Sequence, residues 1–254
     1  MNGHNISFIT DPFNFAQRQV ISALDMAVSN KDVLKPGVFK TAFNFVFTTD
    51  YEYAASNQLL EESTRILDKT DHRKKGKFDL EPSSEHRQMD FFRVCSPKDG
   101  AIPTGIGAEA PLRGYWCPYI PIGTQGAGLQ NVPYVEFPRN LPDRVFVFTG
   151  AMNGCSIVIT DQGNGVLRLY HDSTHTMQMF AHQNVITSLG YDANSGCAHT
   201  YAHAAPAQGV VPNSFNFLYR DNQGWHLVCQ PQVIQIANLR VDFNPNIQPF
   251  EVQI

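Results

Sequence analysis

Long apolar runs are absent: nothing in the 254 residues approaches the ~20 consecutive apolar positions of a membrane-spanning helix. The opening stretch MNGHNISFITDPFNF has neither a basic leader nor a continuous hydrophobic segment, so no Sec-type signal is expected. Charge is sparse, 17% of residues with a formal net charge of -4, which gives no general attraction for nucleic acid or an anionic membrane surface. No CxxC pair occurs among the five cysteines (Cys95, Cys117, Cys155, Cys197, Cys229), which argues against a zinc ribbon or a thioredoxin-like site. Their odd number leaves at least one thiol free within a single chain, and the plain expectation is reduced, mostly buried cysteines. No internal repeat is visible.

What is present is apolar and aromatic. The hydrophobic fraction is 43% and the aromatic fraction 11%, ample for a packed core. The polar remainder is rich in Asn, Gln, Ser and Thr, as in β-rich globular proteins. After Asp11-Pro12, FNFAQRQVISALDMAVSN (13–30) places Phe15, Val20, Ala23, Leu24 and Ala27 on one helical face. The alternation Phe43, Phe45, Phe47 predicts a strand. YAASNQLLEESTRILDKT (53–70) reads as a second helix, and the charged DKTDHRKKGKFDLE (68–81) as a solvated loop.

Residues 101–140 are rich in Gly and Pro and predict ordered loop with short strands around Tyr115–Ile120. The GxG at Gly105 and Gly107 has no strand–helix unit around it, so it is no dinucleotide fingerprint. GTQGAGLQ (123–130) is read as a surface turn. From Arg144 the chain becomes short strands separated by turns: RVFVFT, CSIVIT, the turn DQGNG, VLRLYH, SFNFLYR, the turn DNQG, WHLVCQ and VIQIANLRVDF. Phe215 and Phe217, two apart, are core positions of such a strand. The expected fold is α+β: a mixed, mainly antiparallel β-sandwich flanked by helices. We expect a single domain over residues 1–254, with 1–100 as a possible N-terminal helical extension and 141–240 as the sandwich core.

One cysteine stands out. A nucleophilic thiol needs a base within hydrogen-bond reach and donors for the oxyanion. Cys155 opens a strand, DQGNG turns the chain, and VLRLYH returns antiparallel, so that His171, sixteen positions on, ends beside it. Gly154 permits a positive φ just before the cysteine, which frees the Cys155 amide to bind an oxyanion, and the Asn153 side-chain amide could assist.

The pattern Phe146-Val147-Phe148-Thr149, Gly154-Cys155, Gly163-Asn164-Gly165 and Leu169-Tyr170-His171 resembles the catalytic core of a glutamine deamidase family. That family comprises Burkholderia lethal factor, the cytotoxic necrotizing factors and the chemotaxis deamidases. The resemblance implies that Cys155 is the nucleophile, His171 the general base and Thr149 the residue orienting the imidazole. It also implies the deamidase-toxin sandwich fold. Its toxin branches commonly carry Ser-Gly-Cys where this chain has Asn153-Gly154-Cys155. The implied activity is an enzymatic one: deamidation of a glutamine side chain in another protein through a thioester. Such an enzyme needs no cofactor and no metal. Its carrier would be a bacterial effector or toxin acting on a host protein, secreted or translocated without a Sec signal, or otherwise cytoplasmic.

Other readings stay open. One is a different Cys–His amide hydrolase or a transglutaminase; a papain-like variant would orient His171 with Asp192 or Asn213, while Asp172 points to the opposite side of its strand. Another is a non-catalytic β-rich interaction protein. The groups His171, His175, His182 and Cys197, His199, His203 place possible zinc ligands together, but neither carries the acid of a zinc-protease motif.

Overall fold

The computed structural model describes residues 4–22, 75–82, 91–95, 112–117, 128–141, 145–174, 177–202, 208–237 and 240–254. The expected strand at 43–47 and helix at 53–70 lie outside these residues, as do Gly105, Gly107, His175 and His203.

Two short helices, α1 (His4–Thr10) and α2 (Pro12–Arg18), open the chain, and α2 is started by Asp11, whose carboxylate accepts the N–H of Asn14, and by Pro12 at its first position. The helix expected over 13–30 ends at Arg18. The next residues form a strand, β1 (Val20–Ser22), parallel to β3 (Phe91–Cys95). The reason is tertiary. Side-chain amides from β12 (Gly224–Gln235) hold this backbone: Gln230 accepts the Ile21 N–H and donates to the carbonyls of Ala16 and Gln19, while Gln232 donates to the Ile21 carbonyl. Two adjacent β-branched residues, Val20 and Ile21, suit that extended course. The segment 68–81, expected as loop, also differs, because β2 (Lys75–Pro82) pairs antiparallel with both β3 and β4 (Leu112–Cys117). Phe78 and Leu80 recur at period two inside the charge run, a strand signal that the lysines mask.

The remaining strands are β5 (Tyr134–Pro138), β6 (Val145–Thr149), β7 (Ser156–Gly163), β8 (Val166–Asp172), β9 (Val185–Gly190), β10 (His199–Thr200), β11 (Val210–Asp221), β13 (Arg240–Phe243) and β14 (Phe250–Gln253). They form two sheets: nine strands in the order β1-β3-β2-β4-β6-β11-β12-β13 with β14 also on β12, and five in the order β10-β9-β7-β8-β5. The architecture is a β-rich α+β sandwich.

Period two decides which side chain enters which layer. On β6, Phe146 and Phe148 pack outward with Phe215 and Phe217 of β11 beneath Phe8 and Ala16 of the helices. Val145 and Val147 face the other way, into the layer between the sheets. There they meet Ile157 and Ile159 of β7, Leu167 and Leu169 of β8, and Leu227 and Cys229 of β12. Continuing the alternation by one step puts Thr149 into the same layer from β6, and His171 into it from β8.

Candidate active site

Thr149 ends β6 in the first sheet and Cys155 stands just before β7 in the second. The residues between them are therefore the crossing from one sheet to the other. Met152 anchors this crossing by exchanging two backbone hydrogen bonds with Ser214 of β11, at 2.8 and 2.9 Å. Gly154 turns the corner at φ +89°, a conformation that glycine adopts without the steric penalty of a Cβ. The six-residue spacing of Thr149 and Cys155 is thus the length of an inter-sheet crossing. The strand after it starts at Ser156, one residue later than expected.

The hairpin of β7 and β8 then sets the histidine. Its turn carries Asn164 at φ +52° and Gly165 at +74°, as a two-residue primed turn demands. The register opposes Ile157 to His171 and Ser156 to Asp172. Cys155 packs on the same inter-sheet layer as Ile157, and Ile157 opposes His171, so position 155 lies diagonally across from position 171 just before the antiparallel pair begins. Such diagonals lie within reach of a ring side chain.

Thr149 Oγ1 lies 2.6 Å from His171 Nδ1, and the Thr149 hydroxyl donates to the Cys117 carbonyl at 3.0 Å. A hydroxyl has one proton to give. With that proton on Cys117, the Thr149 oxygen accepts from Nδ1–H, and the basic lone pair of the imidazole is on Nε2. Thr149 thereby fixes both the ring's orientation and its tautomer. Sequence reasoning named Thr149; it did not foresee Cys117, whose carbonyl orients the threonine from the neighbouring strand β4.

Burial governs the electrostatics. His171 is fully buried, which lowers its pKa to about 3, so the ring is neutral at physiological pH. Burial pushes the Cys155 thiol up to about 12; the nearby Asp172 carboxylate adds to the rise, and the backbone N–H of Asn153, bonded to the sulfur, opposes it. At rest Cys155 is therefore a thiol and His171 a neutral imidazole, not thiolate and imidazolium. A direct consequence concerns alkylation. At pH 7.5 Cys155 should react with iodoacetamide about 100-fold more slowly than an exposed thiol, since a smaller thiolate fraction outweighs the greater nucleophilicity of a more basic sulfur. The rate should rise about tenfold per pH unit from pH 7 to 10, without an acid plateau. A rate independent of pH between 5 and 8 would mean that the ion pair exists after all.

One contact at this corner has no counterpart in the sequence reading. Tyr201, buried and just beyond β10, accepts the Gly154 N–H at 2.8 Å and donates to the Cys155 carbonyl at 3.1 Å. It comes from the CAHTYAH stretch that stands out in the sequence for its histidines, not its tyrosine. No local signal links position 201 to 154.

The remaining candidates fall elsewhere. Asp192 caps a 3-10 turn by accepting the Asn194 N–H, and the Asn213 amide donates to Gln232, so each is engaged away from His171. Asp172 is buried and accepts from the N–H and hydroxyl of Thr174. The Asn153 residue is exposed, and its contribution at the sulfur comes from its backbone. Among the described residues no group of three or more His, Cys, Asp or Glu could hold a metal ion.

The family model described as the Mcf1 activator-binding domain matches residues 118–252, more than half of the chain and all of the inter-sheet crossing, hairpin and histidine. No curated protein matches. Among solved structures, the C-terminal domain of CNFy from Yersinia pseudotuberculosis is similar at 9% identity and a TM-score of 0.38, over 71% of this chain and 72% of that one.

Proposed function

We propose that this chain, which belongs to the Mcf1 activator-binding domain family, is a thiol amide hydrolase that deamidates a glutamine side chain of another protein. The observation that carries this reading is the Thr149–His171 hydrogen bond, which orients the imidazole within the layer against which Cys155 packs, one residue after the positive-φ corner at Gly154. The resemblance of Val145–His171 to the glutamine deamidases adds to it.

The chemistry runs from a neutral pair. Cys155 passes its proton to His171 Nε2 as the sulfur attacks the carboxamide carbon, and the carbonyl electrons move to oxygen. His171 returns the proton to the departing nitrogen, which leaves as ammonia. Water, deprotonated by the same nitrogen, then opens the thioester to the carboxylate and restores the thiol. Closing bound protein over the site excludes water and strengthens each of these contacts. An amine in place of water would yield transglutamination from the same thioester. We assign the reaction to residues 141–240 of a single domain, and an effector or toxin role on a host protein.

The test is a comparison of wild type and Cys155→Ser on candidate target proteins. Only wild type should produce the mass gain that marks a glutamine becoming glutamate. A Cys155→Ser protein that still deamidates ends the reading.

A second reading follows the family's description: the domain binds an activator protein. Binding would not need the thiol, so a partner captured equally by wild type and Cys155→Ser, with no glutamine altered, favours it.

A further inference from the structure

We infer that Tyr201 is the positioning residue of the nucleophile corner, and that by clamping this corner it makes the Cys155 backbone N–H the oxyanion donor. The inference rests on the amide hydrolase reading and deepens it.

Three backbone amides lie at the corner, and two are committed. The Gly154 N–H is held by the Tyr201 oxygen at 2.8 Å. The Asn153 N–H is bonded to the Cys155 sulfur, where it supports the charge that develops when the thiol ionises. The third is the amide of Cys155, on the same residue as the attacking sulfur. An oxyanion formed by attack of a side-chain sulfur sits within reach of that residue's own N–H, the arrangement used by acyl-transfer enzymes.

Tyr201 determines where this amide points. Its one hydroxyl binds the corner twice: it accepts from Gly154 ahead of the peptide unit and donates to the Cys155 carbonyl behind it. The two bonds bracket the Gly154–Cys155 peptide, whose φ of +89° at Gly154 would otherwise be one of several conformations open to glycine. The tyrosine is itself held. Its N–H donates to the Gly190 carbonyl at 3.1 Å, its ring packs edge-to-face on Tyr191 with centroids 5.6 Å apart, and the side chain is inaccessible to solvent. A rigid donor–acceptor fixed from β9 and β10 thus aims the amide that stands just before β7.

The experiment compares two probes of Cys155 in the intact chain. p-Nitrophenyl acetate is attacked at its carbonyl carbon, so acetylation of Cys155 passes through an oxyanion as in the proposed reaction and releases nitrophenolate; dithiodipyridine has no carbonyl and reports only thiol accessibility and ionisation. If the corner holds that oxyanion, wild-type Cys155 has a higher nitrophenyl-acetate-to-dithiodipyridine rate ratio than glutathione. Tyr201→Phe keeps the ring and removes the clamp, so this ratio should drop about tenfold, less than the loss seen when an oxyanion donor is deleted outright. Simple loosening of the fold moves both rates together. An elevated wild-type ratio that Tyr201→Phe leaves unchanged overturns the role of Tyr201 and spares the hydrolase reading. A wild-type ratio no higher than that of glutathione removes the hydrolase reading and this inference with it. Amide exchange in wild type covers the case in which the variant does not fold: the clamped Gly154 N–H should exchange at least about 100-fold more slowly than the Cys155 N–H. Equal protection of the two overturns the assignment.

Discussion

Between pH 6.5 and 4 the protein should lose stability at about 1.4 kcal/mol per pH unit through His171 alone. The folded ring has its pKa lowered to about 3, whereas an unfolded histidine titrates near 6.5. In that window the unfolded chain binds a proton that the folded chain refuses, so ∂ΔG/∂pH is positive and acid favours unfolding. Above 6.5 neither state is protonated and the effect vanishes; below the folded value both are, and it saturates. The total, roughly 3–6 kcal/mol, is comparable with the whole stability of an ordinary domain. Urea unfolding of wild type and His171→Asn at pH 7, 6, 5 and 4 isolates it. Asparagine keeps a donor where Nδ1 lies, so the Thr149 contact survives, yet it does not titrate. Wild type should lose stability more steeply than the variant by about one proton's worth. Equal slopes would mean that the ring charges inside the fold. For the proposed reaction the corollary is that the His171 ring is neutral at any pH well above about 3, so an acid limit to activity between pH 4 and 6.5 would reflect unfolding and not titration of the imidazole.

The parts of this site that were legible in the sequence are those governed by period two and by short turns. Phe146/Phe148 against Val147/Thr149, and Leu167/Leu169/His171 against Tyr170, are alternations that state which residues share a layer before any coordinate is known. Gly154, and Gly163-Asn164-Gly165, mark a corner and a hairpin through the positive φ they must adopt. Contacts formed across the fold were not legible. Whether Val20–Ser22 continues a helix or joins a sheet is decided by Gln230 and Gln232, more than two hundred residues away in sequence. The Cys117 carbonyl reaches Thr149 because β4 runs parallel to β6, a pairing with no local signature. Tyr201 reaches Gly154 only after β9 and β10 have joined the second sheet. The same division separates the proposed roles: the candidate Cys155 and His171 lie at or beside patterned strands, and the contacts to Thr149 and Gly154 arrive from elsewhere.

Thr149→Val is the substitution with the largest expected effect on fold and site together. Valine preserves shape and β propensity while deleting the hydroxyl. The loss removes at once the acceptor of the His171 Nδ1–H and the hydroxyl donor to the Cys117 carbonyl. A buried group that loses its partner costs about 1–3 kcal/mol, so the variant should be up to about 6 kcal/mol less stable. Removal of both ends of the contact tests the cause: in a His171→Phe background the same Thr149→Val change should cost less by at least about 1 kcal/mol, because no imidazole donor is left stranded. The chemical consequence is separate. Without an acceptor at Nδ1 the ring can rotate, and the tautomer with its proton on Nε2 becomes accessible, which removes the lone pair that the proposed reaction uses as its base. Groups that orient a histidine typically carry 10–100-fold in activity, and about that loss in deamidation should accompany Thr149→Val at temperatures where the variant remains folded. Thr149→Ser retains a hydroxyl and should restore most of both quantities. If serine fails to rescue activity while it restores stability, the threonine methyl packs the site but its oxygen does not hold the base, and the imidazole must be oriented by another group.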